Sequence, residues 1–376
     1  MPLRVKTVIS FLEDLAPASI ALSGDPVGLQ LGNPETEVKK ILVALDPDLN
    51  SIEEAAAIGA EMLVTHHPLF FHKLSSVNES QPEGALIAFA IRSRLNIYSM
   101  HTNYDVTPMG VTYQLAKTLD LPVDNAEVLE VSGSEQLLKL VVFVPAGHED
   151  EIRNVLAGAG AGQVGNYSHC TFQTKGTGTF MPGEGTNPYI GSSGQLEKVD
   201  EIRLETILPA ARRAAVVKAL FDVHPYEEPA YDLYPLDLEA ETIGLGLLIS
   251  PEKPLTLDQI LEACTERLKT DCLRFRTAGK SYYNRIALCG GSGGSLIAAA
   301  AGKQADILIS GDFGYHDLKL AETLGIALID AGHYATEKPG IDYLRRYLEN
   351  SIKAGGYRAE VCLQASLPAG WDKISG

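Results

Sequence analysis

The chain has 376 residues, 45% of them hydrophobic and 21% charged, and a formal net charge of −17. The length points to two or three domains, and the composition is globular and excludes a disordered chain. The longest apolar runs fall short of the roughly 20 residues a bilayer span needs, and the acidity argues against a nucleic-acid binder, which presents a basic face.

An anionic substrate would need local positive charge, which bound metal ions supply. The five cysteines are scattered and form no C-x-x-C. That fits a reducing cytoplasm and excludes a structural zinc knot. Acidic Glu13 and Asp14 follow the first residues, and no signal peptide is expected.

An apolar-periodic segment from Val8 to Leu15 opens the chain, followed by a loop, Ser23-Gly24-Asp25-Pro26-Val27-Gly28-Leu29-Gln30. A strand at Ile41–Ala44, an alanine-rich helix from Ser51 to Gly59 and a buried strand from Ala60 come next. The last runs into Thr65-His66-His67-Pro68. Residues 68–82 look like a loop over the histidine pair, and Glu83 to Leu95 reads as a helix. Asn96–Met100 is a strand ending in His101, with Asp105 four residues on. Thr107-Pro108 favours a loop rather than a helix there.

From about residue 130 the texture changes. Leu137–Val144 reads as a strand and Glu149–Leu156 as a helix, and a Gly-rich stretch follows. Val199–Leu208, Ala210–Phe221 and Tyr231–Tyr234 read as strand, helix and strand. This β-α-β…β-α-β order predicts a ferredoxin-like insert at 131–238. Its linkers are expected at residues 130–134 and 235–237. Metal-like chemistry there is weak. His224-Pro225-Tyr226-Glu227-Glu228-Pro229 reads as a proline-bracketed turn, His169-Cys170 as core and His148 as surface.

The second half repeats the first at a constant offset of 245: Ile286–Cys289 matches Ile41–Ala44, and Ala305–Phe313 matches Ala60–Pro68. Ser310-Gly311-Asp312 therefore stands where Thr65-His66-His67 stands. The next strand, Ile326–Asp330, leads to His333 and Glu337, 232 residues after His101 and Asp105. A helix from Pro339 to Lys353 and a short strand near Arg358–Gln364 close the chain. The fold class is α/β. Two related βαβ-type units, 1–130 and 239–376, form one discontinuous core interrupted by the α+β insert.

In open α/β sheets the functional crevice lies beyond the carboxyl ends of the strands. Two facing halves bring six candidate metal ligands there: His66, His67, His101, Asp105, His333 and Glu337. Imidazole and carboxylate donors suit zinc, manganese, iron or cobalt. Six exceed what one tetrahedral ion takes, so two divalent ions are expected, zinc ahead of iron and manganese, and such pairs support hydrolysis. Asp312 either orients a ligating imidazole or caps a helix. His72 is either a proton carrier reaching over the site or a surface histidine. Gly290–Ser295 is a weak phosphate-nest candidate, with a tight turn as the default.

Thr65-His66-His67-Pro68, His101-Thr102-Asn103-Tyr104-Asp105, Ser310-Gly311-Asp312-Phe313-Gly314-Tyr315-His316-Asp317 and Gly332-His333-Tyr334-Ala335-Thr336-Glu337 resemble the NGG-interacting-factor-three-like family. Its members are often labelled GTP cyclohydrolase 1 type 2 homologs. The insert, with Asn187–Gly191 and His224–Tyr231, looks like that of the longer bacterial members, which is similar to the PII and CutA proteins. The resemblance implies a dinuclear metal site on the six residues and a toroidal homohexamer. One departure is visible: members read Trp-Asp-Asn-Val-Gly-Leu-Gln where this chain has Gly24-Asp25-Pro26-Val27-Gly28-Leu29-Gln30.

The expected function is a metal-dependent hydrolase acting on a nucleotide or similar small molecule. The alternatives are a metal-handling or metallocofactor-binding protein without turnover, and a regulatory protein whose insert senses a ligand. No membrane partner is expected.

Overall fold

The computed structural model describes residues 2–134, 136–238, 242–270 and 273–365. The chain divides into two compact units, one of residues 1–133 with 243–376, the other of residues 134–242.

In the larger unit the first half runs α1 (Val5–Leu15), β1 (Gly28–Leu31), β2 (Lys40–Ala44), α2 (Leu49–Ala57), β3 (Met62–Thr65), α3 (Pro82–Arg92), β4 (Asn96–Ser99), α4 (Thr102–Val106), α5 (Val111–Thr118) and β5 (Glu127–Ser134). Strands β2, β3 and β4 are parallel and almost wholly buried, as strands covered on both faces must be. The Asp48 carboxylate caps α2 by accepting from Ser51 N–H.

The smaller unit holds β6 (Leu137–Pro145), α6 (Glu149–Gly158), β7 (Thr171–Phe180), β8 (Glu197–Pro209), α7 (Arg213–Val223) and β9 (Tyr231–Pro235). The sheet order is β7-β8-β6-β9, with every neighbouring pair antiparallel. Leu140, Val142 and Leu204 from the sheet pack with Leu156, Val216 and Leu220 from the helices. Strand β7 lies inside the stretch that the sequence marks only as Gly-rich. Its residues are mostly exposed, so no apolar alternation announces it.

The chain returns to the larger unit with β10 (Thr242–Ile249), α8 (Leu257–Leu268), β11 (Arg274–Arg276), β12 (Ile286–Ser292), α9 (Ile297–Gly302), β13 (Ile307–Gly311), α10 (Tyr315–Leu324), β14 (Ala327–Asp330), α11 (His333–Ala354) and β15 (Glu360–Leu363). The two sheets of this unit have the orders β1-β4-β3-β2-β15 and β11-β14-β13-β12-β10-β5. Ile41 pairs with Met62 as Ile286 pairs with Ile307, so the 245-residue offset is also a shared strand register. The next pairing slips by one. Met62 faces Asn96 while Ile307 faces Ala327, one residue earlier than the offset of 232 between the histidines would place it. The second half carries its extra residue between the end of β14 and His333.

Four expectations need correction. Residues 130–134, expected as a linker, lie in strand β5 at the edge of the second sheet, where Leu129 is buried. The His101–Asp105 segment is helical, because Tyr104 and Asp105 N–H both donate to the His101 carbonyl before Pro108 ends the run. His169 is exposed rather than core, with φ +59°. His333, Glu337 and the closing helix are one 22-residue helix that contains Pro339. A proline inside a helix forfeits its N–H bond and its ring crowds the carbonyl four residues back, and burial of Ile341, Leu344 and Leu348 holds the helix through Pro339.

Among the described residues no helix is long and apolar enough to cross a membrane.

Candidate metal centre

Each half delivers its functional side chains at the carboxyl ends of its parallel strands. β3 ends at Thr65, and its backbone continues its ladder: His67 N–H donates to the Leu45 carbonyl at 2.9 Å. Thr65 Oγ1 donates to the His67 carbonyl at 2.8 Å, which fixes the turn. β4 ends one residue before Met100, whose N–H donates to the Thr65 carbonyl at 2.8 Å. His101 then opens α4, and Asp105 lies one turn along it. In the second half α11 begins at His333, and Glu337 lies one turn along. Tyr104 Oη donates to the Gly340 carbonyl at 2.9 Å, binding α4 to α11.

The four imidazoles are held alike. His66 Nδ1 is 2.8 Å from the Met100 carbonyl, His67 Nδ1 2.6 Å from Asp46, His101 Nδ1 2.8 Å from Asp25 and His333 Nδ1 2.6 Å from Asp312. Each acceptor demands a proton on Nδ1, so Nε2 is the nitrogen left to bind an ion once any proton on it is displaced. The Nε2 atoms converge. His66 Nε2 is 3.6 Å from Asp105 and 3.5 Å from Glu337. His67 Nε2 is 3.5 Å, and His333 Nε2 3.1 Å, from the other Glu337 oxygen. His67 and His333 Nε2 are 3.4 Å apart. Ligand atoms of His66, His67 and His101, and those of His67, His333 and Glu337, form two groups, in each of which all atoms lie within 4.8 Å of one another. Either group can hold a metal ion.

The donors fit a cation on a second count. His66 Nε2 and Glu337 Oε2 are buried and have no hydrogen-bond partner. Such atoms are costly to leave bare. The electrostatics agree. Burial opposes charge on His66, but the Asp105 and Glu337 carboxylates overcome it and push its pKa up to about 9. The Glu337 carboxylate beside His333 raises its pKa to about 9 against its own burial, with Asp312 adding to the shift. Burial works to raise Glu337, yet the His66 and His333 imidazoles hold it well below the usual carboxylate range. Asp105 is raised, by burial first and by Glu337 beside it.

The glycine-rich run that ends β12 and follows it is packing, not a phosphate nest. Gly290 N–H donates to Thr112 Oγ1 at 3.2 Å, Gly291 N–H to Thr336 Oγ1 at 3.0 Å and Gly293 N–H to the Gly311 carbonyl at 3.4 Å. Gly291 has φ +68°, and a Cβ there would collide with Glu337 Oε1. Of the two positions considered for Asp312, the structure puts it behind an imidazole and not at a helix cap. It accepts from His333, and the residue that caps α10 is Gly314. Asp312 takes φ +58°, a conformation that costs a non-glycine residue. The structure does not bring His72 to the cluster: it is exposed, without a hydrogen bond or ring contact among the described residues. His224 is buried in its turn, donating to the Phe143 carbonyl and accepting from Tyr226 N–H.

Sequence reasoning missed Asp25, Asp46 and the Met100 carbonyl as the acceptors behind the imidazoles. Asp46 had a signal: it ends the apolar run Ile41–Leu45, the position at which the histidines end theirs. Asp25 sits in the segment singled out only for its departure from the family pattern. Its carboxylate also accepts from Thr102 N–H at 2.9 Å and from Thr102 Oγ1 at 2.5 Å.

Two mixed sheets with parallel central strands, and a histidine–carboxylate cluster at the ends of those strands, mark a protein able to hold metal. The chain belongs to the DUF34/NIF3 family (NGG1p interacting factor 3), whose model matches residues 3–366. It is 41% identical over 356 residues to a Halalkalibacterium halodurans protein named "GTP cyclohydrolase 1 type 2 homolog", with 95% of each chain covered. The protein of the same name from Bacillus subtilis is 37% identical over 350 residues, with 93% of each covered. Among solved structures, a Bacillus cereus protein related to NIF3 matches with a TM-score of 0.84 at 37% identity, covering 100% of both chains. The likeness expected from the four motifs holds along the whole chain.

Proposed function

We propose that the protein is a metal-dependent hydrolase acting on a nucleotide or a related small molecule, with His66, His67, His101, Asp105, His333 and Glu337 holding two divalent ions. The observation that carries this is the convergence of Nε2 atoms on Glu337 and Asp105, with His66 Nε2 and Glu337 Oε2 buried and unsatisfied. Zinc suits this nitrogen–oxygen set, with iron and manganese next. Bound ions would supply Lewis acidity and activate water. The chain's own residues do the positioning. Asp25, Asp46, Asp312 and the Met100 carbonyl fix the ring tautomers, so the donor set is assembled before an ion arrives. Glu337, with one oxygen near His66 and the other near His67 and His333, would serve both ions.

The relatives' name, GTP cyclohydrolase 1 type 2 homolog, makes GTP the first substrate to try. The six-residue set, the cytoplasmic setting and a homohexamer belong to this reading, as does the division into 1–130, 131–238 and 239–376. So does the internal duplication, which the matched strand registers support. The middle segment is read as a ferredoxin-like, PII/CutA-like insert on its strand order.

The test is elemental analysis of the full chain purified without chelator, then hydrolysis assays with GTP first. About two ions per chain and metal-dependent turnover support the reading. A fully loaded protein that turns over no nucleotide removes the hydrolase and leaves the second reading, metal handling, which the same donor set favours. Failure to bind zinc, manganese or iron removes both.

A further inference from the structure

The centre is closed on one side and open on the other. The His66 side chain is 0% exposed and that of Glu337 5%, while His101 reaches 23% and His333 34%. A substrate therefore approaches from the His101 and His333 side. Beside His101 on that side stands Phe71. Its ring centroid is 6.0 Å from that of His101, with the planes at 86°. Phe71 is 58% exposed and belongs to none of the hydrophobic cores of the described residues.

Its position is set from below. The preceding Phe70 N–H donates to Gln30 Oε1 at 3.0 Å, and Gln30 Nε2 donates to the Pro26 carbonyl. Gln30 thus ties the loop bearing Phe71 to the segment whose Asp25 orients His101. Singly exposed apolar side chains are ordinary on protein surfaces; what sets Phe71 apart is its ring contact with His101 and the Gln30 tie beneath it.

The charges around it narrow what it can receive. Asp25, Asp46, Asp105, Asp312 and Glu337 line the centre, and their ion pairs there run to histidines. Bound cations would hold anionic parts of a substrate, and Phe71 offers an uncharged planar surface next to them.

We propose that Phe71 is a specificity-determining residue of this centre, a platform on which the planar heteroaromatic ring of the substrate stacks. The proposal deepens the nucleotide reading and takes its substrate class from it. It separates affinity into two parts: ion-held phosphate, and ring on Phe71.

The test uses the full chain loaded with manganese, titrated calorimetrically with GTP and, separately, with inorganic triphosphate, with metal content measured afterwards. Phe71→Ala should weaken GTP binding roughly 5- to 100-fold, the range one base–aromatic stack supplies. Triphosphate binding and metal content should not change, and Phe71→Trp should restore GTP affinity. Equal weakening for both probes, no weakening for GTP, or a metal-loaded wild type that does not bind GTP would overturn the proposal. A wild type that binds GTP with this Phe71 dependence yet never hydrolyses it supports the platform while removing the hydrolase.

Discussion

His67 Nε2, at the end of β3, lies 3.5 Å from the Glu337 carboxylate on α11, so one acidic side chain of the second half closes the donor set of the first. The same oxygen is 3.1 Å from His333 Nε2, and the other is 3.5 Å from His66 Nε2. Removing this carboxylate should break the His67, His333 and Glu337 group outright and take an acidic neighbour from His66 in the other. For Glu337→Ala we expect a load of about two ions per chain to drop to one or none by elemental analysis. An unchanged load would show that Glu337 is not a ligand.

The carboxylates behind the imidazoles act at one remove. Asp25→Ala and Asp46→Ala should each lower metal affinity about 10- to 100-fold, the usual loss when such an acceptor is removed. Each ring would lose the bond that sets its tautomer. Competition against a fluorescent chelator measures this. Conservative replacement by Asn should retain more affinity than Ala, because an amide oxygen can still accept from Nδ1.

Gly291 meets two constraints that alanine cannot satisfy. At φ +68° a Cβ costs about 1–2 kcal/mol, and here it would also collide with Glu337 Oε1. Gly291→Ala should lower the melting temperature and the metal load together. The control is Gly302→Ala, at a helical position with open space around the added Cβ, which should lower neither.

Protonation should set the metal-free protein's stability. His66 and His333 have folded-state values raised to about 9 from an ordinary value of 6.5. A raised value means the folded state binds the proton more tightly than the unfolded state. The stabilisation is therefore complete below about pH 6.5 and lost as pH rises through about 9. Chelated protein should melt at a lower temperature at pH 9 than at pH 7. Metal uptake must displace these protons, so the rise in melting temperature on adding zinc should grow over the same range. Thermal scans with and without zinc test both, and a zinc effect independent of pH would contradict the assignment of these two rings.

The sequence by itself determined the types of the candidate ligands and their places along the chain. Short apolar strands ending in His66-His67, His101 and His333 are local patterns, and so is the spacing of four from His101 to Asp105 and from His333 to Glu337, although the helical turn that carries the first pair was not legible beside Pro108. The repeat at 245 residues was equally legible, because buried parallel strands repeat their apolar residues in register. Tertiary structure decided the rest. Which atom stands behind each imidazole depends on chain segments that are distant in sequence. Asp25 reaches His101 across 76 residues, and the Met100 carbonyl behind His66 carries no side-chain signature at all. The exposed strand β7 left no periodic trace, and α11 runs through Pro339 because its buried face outweighs one lost hydrogen bond. β15, the last described strand, pairs with β2 near the start, an arrangement fixed by long-range burial that no local pattern encodes.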